Sequence, residues 1–495
     1  MSVDSSQQLE KPVIDQELPD LQPIKRDKEN PIVHPISVTS DAAQSPLEYR
    51  LYKRRFVGVF GFVVLNIVAA MSWPWFGPIA NETSQELGFS LNRVNWLGNI
   101  MACIYLPVAI LIPPFISRYG LRRCCDVGAL CLILSSWIRY AGTSRSLSTQ
   151  SSYALLMFGQ LFASVSQPIY QVLGPKYSET WFNLQGRTTA TMIIAISNPI
   201  GGAIGQLLSP LVGDTRQSIL VLGIISTAAT PCVFLIRSTP PTPPTYAASR
   251  THPSLLSFVK RVLGLDKTPG EYYMTVRERF DFGIIWIIFS SLVAATNTFA
   301  LLSAEIMEPV GYSSDTSGLM GACLLLTGIV AAIVTAPLFD RVFTRHLAIT
   351  TKIAVPIVAV VWLSMIWAVK PNNTGGLFTI MTILGVGSVP MLPVALELGC
   401  DLTRNAEASS SLLWFGGNLF AIMFILDLVM DALRAGPDAE PPLNMRRALI
   451  FNGAFVLAAA SFVALLQGKQ VRKDMDEIKL QESTQTRRTD EEAPP

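Results

Sequence analysis

Ten stretches of this chain run for 19 to 30 residues without a single Asp, Glu, Lys or Arg. They cover 56–81, 94–117, 146–175, 188–213, 217–236, 282–304, 316–339, 371–396, 408–426 and 448–468. A helix needs about 20 predominantly apolar residues to cross about 30 Å of hydrocarbon, so each window is long enough to span a bilayer. Two shorter windows complete the set: 353–369, extended by the apolar flank from Leu347 across Lys352, and 127–138, ended by Arg139. The reading is an all-α membrane protein with twelve transmembrane helices. Only 15% of the 495 residues are charged, against about 25% in a soluble globular chain.

Charge fixes the orientation. Positive residues near spans favour the cytoplasm, and Arg50, Lys53, Arg54 and Arg55 precede the first window. That window is expected to start as a signal anchor, with the N-terminus inside. Alternating sides from there puts 23 Lys and Arg in cytoplasmic segments near the membrane and seven in external ones. Removing one span would scramble that bias. Residues 1–49 and 469–495 read as disordered cytosolic tails from their polar composition. The spans divide into two six-helix bundles, 50–237 and 281–468, around a cytosolic linker at 238–280. Its Pro-Pro-Thr-Pro-Pro run ends the sixth helix. Helical spacing over 255–263 fits a helix on the inner leaflet or a plain surface linker helix.

Composition also excludes. The formal net charge is +2, with no basic domain to hold nucleic acid. The seven Cys form no disulfide framework, and Cys103, Cys131 and Cys323 sit inside apolar runs. No phosphate-binding loop, metal-ligand spacing or nucleophile triad is present, so neither an ATP-driven pump nor a membrane enzyme is expected, and no cofactor. The implied partners are a small-molecule cargo and the lipid of a multi-pass, plasma-membrane setting, with the chain a monomer. Asn81 and Asn372 begin glycosylation triplets in loops assigned to the outside.

Six spans, a cytosolic linker and six more resemble the major facilitator superfamily, whose halves hold cargo between them at the midplane. The loop after the second span, Ser117-Arg118-Tyr119-Gly120-Leu121-Arg122-Arg123, resembles that superfamily's Asp-Arg-x-Gly-Arg-Arg motif, with serine in place of the acid. The equivalent loop of the second half opens Asp340-Arg341. Gly120 permits the tight turn. Arg118, Arg122 and Arg123 then serve either as a gate that latches onto acids and helix C-termini, or simply as positive-inside topology. Glu397 and Asp401, one turn apart at the inner end of the tenth span, read as partners of Arg341 or Arg404.

Several stretches resemble, more narrowly, the feline leukaemia virus subgroup C receptor-related transporters, the choline- and haem-associated solute carriers. They include Tyr52-Lys-Arg-Arg55, Trp137-Ile-Arg139, Gly159-Gln160, Ser164-Val-Ser-Gln167, Asn198-Pro-Ile-Gly201 and Glu397-x-x-x-Asp401-x-Thr403. The resemblance implies that Trp73 covers the cargo and that Gln167 and Asn418 touch it. Asparagine at 418 stands where that family often has glutamine, and Ala300 lies near its usual tyrosine.

Polar groups inside spans are costly when unpaired, so Gln167, Asn198, Asn297 and Asn418 are candidate cargo contacts, or else interhelical glue. Phe299 is the candidate replacement for the missing aromatic. Trp73-Pro74-Trp75-Phe76-x-Pro78 breaks the first span in its outer half. Trp75 and Phe76 fit an interfacial aromatic belt, whereas Trp73 lies deeper, where its ring can hold a quaternary ammonium by cation–π attraction. All three His fall outside the spans, which argues against haem. The reading is a secondary transporter of a small organic molecule, an organic cation such as choline being one case. An efflux carrier for a secondary metabolite and a non-transporting receptor on the same fold are the alternatives.

The topology has a direct test. A cysteine introduced by Arg250→Cys is expected to escape an impermeant maleimide in intact cells and to react once they are permeabilised. Labelling from outside would remove a span from the count.

Overall fold

The structure, a computed structural model, describes residues 49–77, 79–250, 254–266, 268, 272–341, 346–425, 433–436, 438–442 and 444–492. The tail expected over 1–49 lies outside the described residues except for Tyr49. The first half carries α1 (Arg55–Met71), α2 (Ala80–Leu87), α3 (Leu91–Gly142), α4 (Thr149–Trp181), α5 (Arg187–Leu208) and α6 (Thr215–Ala229). Two short helices, α7 (Tyr246–Ser249) and α8 (Leu255–Val262), follow. The second half carries α9 (Val276–Met307), α10 (Ser314–Arg341), α11 (Leu347–Ala368), α12 (Thr374–Ser388), α13 (Met391–Thr403), α14 (Ala406–Ile425) and α15 (Arg446–Ser461), and α16 (Val471–Glu492) closes the described chain.

Among the described residues, eight helical stretches are long and apolar enough to cross a membrane. One of them is the 52-residue α3, in which two helices meet at Gly120, whose φ of 83° and ψ of 163° are not helical. Only glycine takes that backbone without strain, so the turn expected from the loop motif is built on the residue that can make it. The first window is interrupted as its prolines demand: α1 ends at Met71 and residues 72–76 turn. In α4 the buried Gln160, Ser164, Ser166 and Gln167 dilute an otherwise apolar helix.

Within a bilayer, apolar burial does not drive helices together, so close backbone packing and hydrogen bonds must. Gly201 and Gly205, one turn apart on α5, provide it. A Cβ at Gly201 would collide with the carbonyl oxygen of Ile67, and one at Gly205 would come within 2.7 Å of the Met71 oxygen. Thus α5 lies directly on the α1 backbone. Asn66 pins the same pair, donating to the Ile194 carbonyl and to Ser197 Oγ, both at 2.8 Å. The second half repeats the device where Gly416 and Gly417 of α14 meet Ser290 and Val293 of α9. Across the halves, α14 packs on α3 and α4, and α5 packs on α10 and α13.

Three expectations need correction. Trp75 and Phe76 form no interfacial belt: they are 0% and 2% exposed, and the Trp75 indole N–H donates to Ser218 Oγ at 3.1 Å. The chain after 469 is not a disordered tail over its described part, since residues 471–492 are helical and Arg472, Lys473 and Asp476 are buried. Asn81 lies in α2 rather than in a loop, while Asn372 is an exposed turn residue at positive φ. Helix α8 does form over the stretch expected. Phe258 turns inward onto Phe282, edge to face at 6.1 Å, while Leu256 and Leu263 stay exposed.

Gly201→Ala is expected to push α1 and α5 apart and cost about 1–3 kcal/mol, the usual range for overpacking. Gly202→Ala, one residue on with open space around it, should leave the melting temperature of the detergent-solubilised protein unchanged. Equal effects of the two would refute this account of the contact.

Candidate functional site

One cavity lies between the halves, lined from both. The first half contributes Trp73, just beyond α1, with Met101, Ala102 and Tyr105 of α3, Gln167 and Gln171 of α4, and Asn198 of α5. From the second come Leu292, Val293, Thr296 and Asn297 of α9, Leu325 of α10, Ser388 and Val389 at the end of α12, Leu392 of α13, and Trp414 and Asn418 of α14. None of these side chains carries a formal charge at neutral pH. Aromatic faces, amides and hydroxyls on an apolar wall suit a small organic molecule held by shape and a few hydrogen bonds.

Five of the six residues expected at a cargo site thus come together: Trp73, Gln167, Asn198, Asn297 and Asn418. Phe299 does not join them. It is 1% exposed and packs edge to face on Trp362 at 6.1 Å, so it belongs to the core of the second half. Local bonds orient the wall. Asn198 donates to Asn66 Oδ1 at 3.3 Å, Asn418 donates to the Trp414 carbonyl at 2.9 Å, and the Tyr105 hydroxyl donates to Gln171 Oε1 at 2.8 Å. Sequence reasoning missed Tyr105, Gln171, Thr296 and Trp414. Gln171 carries the available signal, as it lies one turn beyond Gln167 on the same helix face.

The second centre lies where ends of α4, α5 and α13 meet α16. Arg472 of α16 donates through Nε to Asp401 Oδ1 at 2.9 Å, through Nη1 to Glu179 Oε1 at 3.1 Å, and through Nη2 to Glu397 Oε1 at 2.5 Å. Glu179 belongs to α4 of the first half, Glu397 and Asp401 to α13 of the second. Gln470 adds a bond to Asp401 at 3.0 Å, and Thr191 of α5 donates to Glu397 Oε2 at 3.2 Å. Lys176 of α4 reaches Glu407 of α14 at 3.7 Å. Arg187 of α5 pairs with Asp476 of α16 at 3.1 Å. Burial works against the Arg472 charge, but Glu397, Asp401 and Glu179 together outweigh it and hold the guanidinium well above the usual arginine range.

A family model described as Major Facilitator Superfamily matches residues 62–426, well over half of the chain. The chain belongs to the major facilitator superfamily. Solute carrier family 49 member A3 of Danio rerio is 25% identical over 417 residues, 81% of this chain and 82% of that protein. The choline/ethanolamine transporter FLVCR1 of Felis catus is 25% identical over 397 residues, 76% of this chain and 67% of that one. Among solved structures, the fucose:proton symporter FucP of E. coli superposes with a TM-score of 0.61 at 10% identity, over 84% of this chain and all of that one; at that identity it speaks for the fold alone. As a superfamily member related to these carriers, the protein is a secondary transporter of small molecules.

The residues singled out around the loop motif have their own arrangement. Glu397 and Asp401 pair with Arg472, not with Arg404. Arg404 instead donates to Glu278 Oε1 at 2.8 Å and to the Tyr273 carbonyl at 2.8 Å. The side chains of Asp340 and Arg341 lie outside the described residues. Arg122 bonds within the first half: it meets Asp126 at 2.8 Å and the carbonyl of Ile236, a few residues beyond α6, at 2.5 Å. Ser117, in place of the motif's acid, donates to the Pro114 carbonyl at 2.9 Å. Arg118 and Arg123 are exposed.

Removing one member of a buried charge cluster costs about 3–5 kcal/mol, because the partners stay buried without their counter-ion. Arg472→Gln is therefore expected to depress the unfolding temperature of the purified transporter strongly. The exposed Arg118→Gln should change stability by less than about 0.5 kcal/mol. Similar small shifts for both would mean that the cluster contributes nothing to holding the halves together.

Proposed function

We propose that this protein carries a small organic molecule, an organic cation of the choline type, across the plasma membrane by alternating access. The chain crosses the membrane twelve times, as two six-helix bundles over 50–237 and 281–468 joined by a cytosolic linker at 238–280, with both termini cytosolic. It works as a monomer. The observation that carries this reading is the shared cavity: Trp73 and Gln167 reach it from one half, Asn297 and Asn418 from the other. A site exposed alternately to each side must be divided between two bodies that rock around it.

Cargo chemistry follows from the wall. Without a carboxylate, the cavity offers a cation the faces of its aromatic rings and neutral amide and hydroxyl oxygens, and a tryptophan face over a quaternary ammonium contributes about 2 kcal/mol or more when dry. Amides at 167, 198, 297 and 418 are left to meet a hydroxyl or amine. The printed names of several relatives, choline/ethanolamine transporters, agree with that class. The inner mouth is closed by Arg472 against Glu179, Glu397 and Asp401, and opening toward the cytosol separates Glu179 from the other two acids. Arg118, Gly120, Arg122 and Arg123 at the Gly120 turn, with Asp340 and Arg341 at the end of α10, flank that gate.

Radiolabelled choline uptake into proteoliposomes tests the reading. Trp73→Ala is expected to weaken choline binding by roughly 1–2 kcal/mol and Trp73→Phe by less, following the ring's quadrupole. If Trp73→Leu performs as well as Trp73→Phe, apolar area rather than a π-face holds the cargo, and the cation assignment falls. Wild-type rates in all three variants would remove Trp73 from the site.

A further inference from the structure

Arg139, in the second arm of α3, is fully buried within a transmembrane segment. Its described hydrogen-bond partners are all neutral. Nε donates to the Ser135 carbonyl at 3.1 Å, Nη1 to Gln160 Oε1 at 2.9 Å, and Nη2 to Ser72 Oγ at 3.3 Å and Ser135 Oγ at 3.5 Å. Among the described residues it makes no ion pair. Burying a guanidinium without an acid is costly, and an apolar side chain of similar volume would fill the space without that cost. The fork geometry supplies what an apolar residue cannot: several rigid donors fixed at once.

What those donors fix is specific. Gln160 passes the link on, donating from Nε2 to the Leu97 carbonyl at 2.8 Å. Gly159 leaves room for the arginine stem, since a Cβ there would lie 2.5 Å from Arg139 Cγ. Ser72 is the first residue beyond α1, where the helix has ended and the chain turns. The next residue is Trp73, whose ring lines the cavity. The helix gives out gradually here: the Ser72 and Trp73 amides still donate to the Ala69 and Ala70 carbonyls, each at 3.3 Å, in the tighter i to i−3 pattern of a last turn, and the Ser72 side chain adds the lateral hold on α3 that these backbone bonds do not provide.

We propose that Arg139 is a positioning residue for Trp73: by holding Ser72 against α3 and α4, it sets the turn that presents the indole to the cavity. The consequence for cargo rests on reading that cavity as the binding site; the consequence for the turn does not.

The experiment therefore has two readouts on the full-length purified protein. Hydrogen exchange is compared for wild type, Arg139→Gln, Arg139→Lys and Ser72→Ala. Arg139→Gln and Ser72→Ala are expected to speed exchange over 72–77 by about ten-fold while α9–α15 keep wild-type protection. Arg139→Lys restores only part of the protection. Unchanged exchange over 72–77, or loss spread through both halves, overturns the proposal. Where Arg139→Gln fails to fold, Ser72→Ala, which removes only one acceptor, decides it. In proteoliposomes with radiolabelled choline, Ser72→Ala should raise KM about five-fold with kcat within about two-fold. A fall in kcat at constant KM refutes positioning of the cargo ring. Absence of choline uptake by wild type refutes the cargo reading, and the exchange result still decides Arg139.

Discussion

Arg472 holds carboxylates that are 293, 75 and 71 residues away in sequence. One side chain thus joins α4, α13 and α16. Each acid alone would pay the desolvation cost of a buried charge, and three together would repel. One planar guanidinium with its donors in a fixed fork satisfies all three at once. The two halves of the transporter have little hydrophobic reason to prefer one relative orientation within lipid. A shared cation supplies that preference, and Lys176 and Arg187 reinforce it with ion pairs to Glu407 and Asp476.

The cation does not come from either bundle's spans. It enters on a helix beyond the last span, and its approach is prepared. Asp281, in the first turns of α9, accepts from the backbone amides of Gln467 and Gly468 at 3.2 and 2.9 Å. Gly468 takes a φ of 62°, turning the chain back beneath the bundle. Asp476 then accepts from the Ala247 amide at 2.8 Å as well as from Arg187, so the middle linker and the C-terminal helix are fastened to each other.

Much of this fold was legible because lipid leaves few options. A window free of charge must be a helix, and a polar residue inside one must face protein. That logic marked Gln167, Asn198, Asn297 and Asn418 before their positions were known, and Trp73 joined them through its depth in the first span and the family resemblance. It failed for Phe299, because an apolar residue carries no mark of which side of its helix faces the cavity. It also failed for Tyr105 and Trp414, whose places depend on how α3 and α14 pack across the halves. Helix α16 was hidden for a different reason: its charged, weakly apolar sequence is that of a solvated tail, and only partners tens to hundreds of residues upstream make it a buried element. Arg404 misled similarly, since the nearest acids in sequence were not those nearest in space.

The uncharged wall of the cavity also bears on electrical behaviour. Moving an elementary charge through a membrane potential changes the energy by about 2.3 kcal/mol per 100 mV. Among the described residues, none that lines the cavity moves such a charge when the halves rock. Voltage therefore acts at this site on the cargo alone. A monovalent cation would be drawn toward a negative interior at a gain set by its own valence, and a neutral molecule would bring no charge of its own to the site.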